Sequence, residues 1–322
     1  MDLLKILAPV EDELPLVTSN LQTVAEVEFP QFADAIKQAI GGRGKGVRPA
    51  LTLLAGKFNN FTLEYLIPMA TAVELLHTAS LVHDDTIDNS PLRRGLPTLC
   101  STLGDHAAIM AGDYLFAKSA ELAAVPGNLR VVRLFARTLM ALARGELEET
   151  LTLYDWHQNR RDYFRRIDGK TAALFSMAAE SGAILSDGHE SHIQALKDYG
   201  RSVGMAFQLV DDLLDFTSDE QTLGKPVGSD LLNGVMTLPS LIYLEQHPNA
   251  NPIKIGFDEK GKGPELEEAV TEIRESSVII KESFAIAHGL VEDAKDAIKI
   301  LPDCDSREAL FALADYVFER KK

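Results

Sequence analysis

Two acidic clusters of the same form, Asp84-Asp85-Thr86-Ile87-Asp88 and Asp211-Asp212-Leu213-Leu214-Asp215, each follow an apolar, helix-like run. On a helix, the first and last carboxylates of each cluster share one face. Like charges at that spacing repel, so the arrangement costs stability unless a cation neutralises it. The donors are all oxygens at high density, which suits a hard divalent cation, most simply Mg²⁺. A chain that does this twice is expected to bring two helices face to face across metal ions.

The remaining sequence reads as helix almost throughout. Ala, Leu and Glu are abundant and β-branched runs are few. Apolar spacing predicts helices over about Tyr65 to Val82, with Pro68 near the start, and over Asp105 to Ala124, stopped by Pro126-Gly127. Further helices are expected from Leu129 to Tyr154, from Arg161 to Leu185 with an interruption near Asp168-Gly169, from Glu190 to Phe216, and over Leu238–Gln246, with two more near the C-terminus. The stretch Pro248–Pro264, rich in Gly, Pro, Lys and Asn, reads as a mobile loop. The segment after that stretch is too short for a separate core, so residues 1–322 are expected to form one all-α domain.

Composition narrows the possible partners. The formal net charge of −16 argues against nucleic acid, which needs a basic face. A phosphorylated small molecule remains possible if basic residues cluster locally. Apolar residues make up 46% of the chain, enough for a core, yet no run reaches the roughly 18 apolar residues expected of a membrane span. The N-terminus lacks the form of a signal peptide, and Cys100 and Cys304 show neither metal spacing nor a disulfide framework. A cytoplasmic setting is the natural reading.

Basic clusters do occur, and near the acids. His77 lies two turns before Asp84 on nearly the same face, although alone it reads equally as a core histidine. His83 is more ambiguous still. Arg93-Arg94-Gly95 comes after the helix-ending Pro91, on a loop folding back over the first cluster; arginine forks suit phosphate oxygens, though a solvated pair bridging nearby acids is the alternative. Upstream, Gly41-Gly42-Arg43-Gly44-Lys45-Gly46-Val47-Arg48 combines glycines that let backbone amides approach an anion with the charges of Lys45 and Arg48. Alone, it would pass for a flexible connector. It is not a P-loop, and neither is Gly169-Lys170-Thr171, because Phe164 stands where the first glycine belongs. Gln208 shares a face with Asp211, and Lys225 lies in the loop beyond. Together these residues describe a helical cage for diphosphates held by Mg²⁺.

Over about Gly41 to Pro239 the chain resembles the trans-isoprenyl diphosphate synthases, or polyprenyl synthetases. Glu74-Leu-Leu-His77-Thr-Ala-Ser-Leu-Val-His-Asp84-Asp85-x-x-Asp88 with Arg93-Arg94-Gly is similar to their first aspartate-rich motif, and Gly204-Met-Ala-Phe-Gln208-Leu-Val-Asp211-Asp212-x-x-Asp215 to their second. The resemblance implies an all-α, isoprenoid-synthase-type bundle with a central cavity, working as a homodimer. It implies three Mg²⁺ ions held by Asp84, Asp88 and Asp211, with Asp85, Asp212 and Asp215 behind them or acting through water. Arg93, Lys170 and Lys225 would grip an allylic diphosphate; Lys45, Arg48, His77 and Arg94 would hold isopentenyl diphosphate. Thr171 and Gln208 would place their oxygens near the developing carbocation.

The implied reaction is ionisation, condensation and elimination. One position departs from many short-chain members: Val235 stands where they have a lysine, in a Gly-x-x-Thr-Leu-Pro form similar to longer-chain members. In the family, bulky residues four and five positions before the first aspartate block the growing tail. Ser80 and Ala79 occupy those positions here and are small, so a product longer than geranylgeranyl, within C25–C50, is expected, with a floor near Leu75, Leu76 or Phe116. The alternatives are a geranylgeranyl diphosphate synthase, a non-catalytic partner subunit and a class I terpene cyclase. Two intact acidic motifs speak against the second, and Arg94 with the Lys45–Arg48 segment against the third.

Overall fold

The chain is described by a computed structural model covering residues 2–25, 30–41, 45–93, 95–219, 226–249, 251–261 and 263–319. Among the site expectations, Arg94 and Lys225 fall outside the described residues, as do Gly42, Arg43 and Gly44.

Helices α1 (Leu3–Ile6), α2 (Leu14–Val24), α3 (Pro30–Gly41) and α4 (Val47–Gly56) lead to the long α5 (Leu63–Ile87). A two-stranded hairpin comes next, β1 (Leu92–Arg93) with β2 (Leu96–Pro97), and then α6 (Leu99–Leu103), α7 (Asp105–Ala124) and α8 (Leu129–Leu151). Beyond these are α9 (Arg160–Ile167), a π-helical turn (Asp168–Ala172), α10 (Ala173–Leu185) and α11 (Glu190–Thr217). The C-terminal part holds α12 (Ser229–Leu232), α13 (Leu238–Gln246), α14 (Pro252–Asp258), α15 (Glu265–Glu275), α16 (Ser277–Ala297) and α17 (Asp305–Glu319).

Side-chain caps set several helix starts. The Asn128 carboxamide accepts from the amides of Arg130 and Val131, and Asn159 forms a reciprocal capping box with Asp162. Asn251 caps α14, with Pro252 in the first turn. A helix therefore lies inside the segment expected to be a mobile loop, and three helices rather than two occupy the C-terminal end. Helix α5 starts earlier than expected, which places Pro68 in its second turn.

Helix α10 forms the centre. It is buried from Leu174 to Leu185 and packs against α4, α5, α8 and α11; a helix that is apolar all round belongs inside. Helix α7 lies along α5, and α16 along α11. One core cluster spans α4, α5, α7 and α10; a second gathers Tyr163, Leu209, Leu213, Phe216, Tyr243 and Phe257. Helix α11 contributes to both.

By length and composition α5 does reach the form of a membrane span, with a mean hydropathy of 1.3 over its most apolar stretch, but 67% of that stretch is buried inside the protein. It is a core helix that ends in carboxylates.

Candidate active site

The π-helical turn carries Lys170, which pairs with carboxylates of α8 whose charge reaches Asp84, and Thr171, which bonds Gln208 of the second motif. Such turns shift the register of side chains within a helix and recur at functional sites. Close backbone approaches position it. A Cβ on Gly145 of α8 would lie 2.6 Å from the Lys170 amide nitrogen, and one on Gly169 would lie 2.9 Å from the Ala141 carbonyl oxygen. On the opposite side, a Cβ on Gly204 of α11 would lie 2.6 Å from the Ala172 Cα. Glycines thus let α8 and α11 close on the turn from both flanks.

Lys170 points toward the first motif. Its ammonium donates to Glu149 Oε1 at 2.6 Å and pairs with Glu146 Oε2 at 3.0 Å. Burial opposes that charge, but Glu149, Glu146 and Asp84 outweigh burial and push the Lys170 pKa up. Asp84 responds the other way: burial first, then Glu146, raises its pKa to about 7, against the pull of Lys170. Burial also raises Glu146. Glu146 and Glu149 are the site residues the motif reading missed. Their trace in the sequence is a carboxylate pair three residues apart, on one helical face of α8.

Asp85 is buried and accepts from Arg93 Nε at 2.7 Å. Burial raises its pKa despite that guanidinium. Arg93 sits on β1 of the hairpin, so the expected fold-back over the first motif takes the form of a strand pair that straps Arg93 onto Asp85. Asp88 caps the end of α5 and is exposed.

Thr171, the neighbour of Lys170, points toward the second motif. Its hydroxyl donates to Gln208 Oε1 at 2.6 Å, and Gln208 Nε2 donates to Asp212 Oδ1 at 2.8 Å. The other Asp212 oxygen accepts from the buried Tyr163 hydroxyl at 2.6 Å. Burial, then the charge of Asp230, raises the Asp212 pKa to about 8. Asp211 is half-buried beside it. Asp215 is 2% exposed, and its carboxylate accepts from Ser229 Oγ at 3.0 Å and the Asp230 amide at 3.1 Å. It anchors the start of α12.

Of the residues expected to hold a second diphosphate, Lys45 precedes α4, Arg48 lies in α4 and His77 in α5. The Arg48 guanidinium lies over Phe175 at 4.4 Å and over Phe207 at 5.8 Å. Lys45 is exposed, 5.4 Å from the Tyr316 ring. His77 is half-buried two turns before Asp84. Val235 is held by its amide donating to the Asp230 carbonyl at 2.8 Å, and the neighbouring Met236 carbonyl accepts from the buried Arg166.

In the region expected to receive a tail, Leu75, Leu76 and Ala79 are fully buried, and Ser80 is half-buried with its hydroxyl donating to the His77 carbonyl at 2.9 Å. The Phe116 ring lies 5.2 Å from that of His83, which occupies the space left by Gly112.

The donor set fits a hard cation. Asp84, Glu146 and Asp212 are carboxylates whose burial leaves them short of positive charge, and every candidate ligand atom is oxygen. Among the described residues no three such groups converge tightly enough to hold a metal alone. Oxygens of a bound diphosphate would have to complete the coordination.

Known proteins resemble this chain in sequence and fold. The polyprenyl synthetase family profile matches residues 29–273. Heptaprenyl diphosphate synthase component 2 of Bacillus subtilis is 35% identical over 312 residues, covering 97% of this chain and 89% of that protein. The crystal structure of a decaprenyl diphosphate synthase from Rhodobacter capsulatus superposes with a TM-score of 0.92 at 32% identity, covering 99% of both chains. That of a polyprenyl synthase from Caulobacter crescentus, complexed with calcium and isoprenyl diphosphate, gives a TM-score of 0.93 at 29% identity, covering 100% of this chain and 98% of that one. With both aspartate-rich motifs in place on an all-α frame of the same shape, the chain belongs to the polyprenyl synthetase family.

Proposed function

We propose that this protein is a trans-polyprenyl diphosphate synthase that condenses isopentenyl diphosphate with an allylic diphosphate, farnesyl or geranylgeranyl, to give an all-trans C25–C50 product. The observation that carries the reading is the π-helical turn. Lys170 engages the carboxylates around the first motif, and the adjacent Thr171 engages Gln208 of the second. One short segment therefore serves both halves of a diphosphate site.

In this reading Asp84, Asp88 and Asp211 hold Mg²⁺, three ions with substrate bound. Mg²⁺ supplies charge neutralisation for a departing diphosphate. Lys170 leaves Glu146 and Glu149 to contact that leaving group, and Arg93 and Lys225 assist it. Lys45, Arg48, His77 and Arg94 position isopentenyl diphosphate. Thr171 and Gln208 offer oxygen lone pairs to the allylic cation, and the packed helices exclude water that would capture it. The final proton passes to the released diphosphate.

The relatives support the longer product range: the Bacillus protein is named for a heptaprenyl and the Rhodobacter protein for a decaprenyl product. The small Ala79 and Ser80 point the same way. We also propose that the chain acts as one domain and as a homodimer in the cytoplasm. Val132, Met140, Leu147 and Leu151 recur on one exposed flank of α8, an apolar stripe of the sort that marks an interface. Purified protein given farnesyl diphosphate, isopentenyl diphosphate and Mg²⁺ should form products beyond C20. Release of cyclic hydrocarbon from the allylic diphosphate alone would point to a cyclase instead.

A further inference from the structure

Tyr163 carries no motif signature, yet it ends an unbroken chain of side chains that leads to Gln208 and Thr171. Its ring is completely buried between α9 and α11, and its hydroxyl donates to Asp212 Oδ2 at 2.6 Å. Asp212 Oδ1 accepts from Gln208 Nε2 at 2.8 Å, and Gln208 Oε1 accepts from Thr171 Oγ1 at 2.6 Å.

The bonds of this chain all run one way: both Asp212 oxygens face donors, the arrangement that suits an acceptor-only, ionised carboxylate. The phenol takes one oxygen and the Gln208 amide nitrogen takes the other. An amide whose NH₂ group is turned to Asp212 must turn its carbonyl the opposite way, toward Thr171. The single Thr171 proton is then directed to Gln208. The Thr171 hydroxyl oxygen and the Gln208 carbonyl oxygen keep lone pairs to present, while the Gln208 amide nitrogen is turned toward Asp212. An amide turned over would present N–H groups of partial positive charge, which oppose a developing carbocation.

We propose that Tyr163 is a positioning residue. By holding Asp212 it fixes the orientation of the Gln208 amide, and thereby the polarity of the Thr171–Gln208 pair. This inference rests on the carbocation chemistry proposed above. It separates Asp212 from its neighbour Asp211: one orients the cation-facing pair, the other faces the metal.

Steady-state kinetics of Tyr163→Phe test it, since the ring is kept and only the hydroxyl is lost. The expected result is a fall in kcat of about ten- to a hundredfold, with KM for both diphosphates within about twofold of wild type. Binding of inorganic diphosphate with Mg²⁺, measured by calorimetry, should be unchanged. In a Gln208→Leu background the same substitution should have almost no further effect on kcat, because the amide it orients is gone. If Tyr163→Phe does not fold, Asp212→Asn replaces an acceptor by a donor in the same chain, and its kcat must fall. An undiminished kcat in either variant, or an equal loss with and without the Gln208 amide, overturns the inference. An inactive wild type would sink the functional reading as well; an active wild type with unimpaired variants sinks this inference alone.

Discussion

Asp84 holds a carboxylate that burial and Glu146 push up to about 7, beside a Lys170 ammonium stabilised in its charged form. In the metal-free protein the folded chain therefore keeps a proton that the unfolded chain loses above its ordinary value of 3.8. Stability from this group is full below that value and falls as pH rises toward the folded value. Metal-free Asp84→Asn should accordingly melt about 1–3 °C above wild type near pH 8 and no higher than it near pH 4. Thermal denaturation in the presence of a chelator checks this; a lower melting point near pH 8 would contradict it. The same variant should lose turnover, since an amide gives a cation no charge. Lys170→Gln should lower kcat/KM on the order of a hundredfold, mostly through KM for the allylic diphosphate, because in the proposed function it removes a cation that binds that diphosphate. The acids of the motifs were legible because their spacing is local. Glu146, Glu149 and Tyr163 were not, because their meaning depends on which helix packs opposite them. The contact of Tyr163 with Asp212 joins α9 to α11 across 49 residues of chain.

Helix α8, the π-helical turn and α11 work as a set because Gly145, Gly169 and Gly204 remove side chains from the contacts between them. A methyl group at Gly145 would meet the Lys170 backbone at 2.6 Å, and backbone cannot rotate away. Gly145→Ala should therefore cost about 1–3 kcal/mol in urea denaturation and lower kcat in the protein that remains folded. Wild-type kcat in that variant would show that the register of the turn is unimportant. On α5, Ser80 is half-buried, and the proposed tail path would run past it. Ser80→Phe should shorten the main product toward C20 or below, read by chromatography of the dephosphorylated products; an unchanged length would move the path elsewhere. At this scale the sequence announced α7 and α13 to the residue, since proline, glycine and apolar spacing punctuate them clearly. It signalled a break at Asp168-Gly169 but not that a π-helical turn carries the helix through it. Helix α14 was hidden by the composition of its surroundings, although Asn251-Pro252 is a helix start in its own right.

Two core clusters joined by α11 make up the molecule, with the candidate site where the π-helical turn packs between α8 and α11. The apolar flank of α8 is a property of the whole surface and cannot be read from any one motif. A homodimer would bury it. Light scattering should then give about twice the 35.3 kDa of one chain, and Met140→Glu combined with Leu147→Glu should give the single-chain mass. A wild-type monomer would contradict the interface. The central claim is that two carboxylate motifs, bridged by Lys170 and Thr171, drive cation-dependent elongation of a prenyl chain. Its most direct measurement is product analysis of the purified protein with farnesyl diphosphate and isopentenyl diphosphate, with Mg²⁺ and with chelator. The account predicts all-trans products within C25–C50 that vanish with chelator and in Asp84→Ala and Asp211→Ala. Products ending at C20, or undiminished synthesis in either alanine variant, would contradict it.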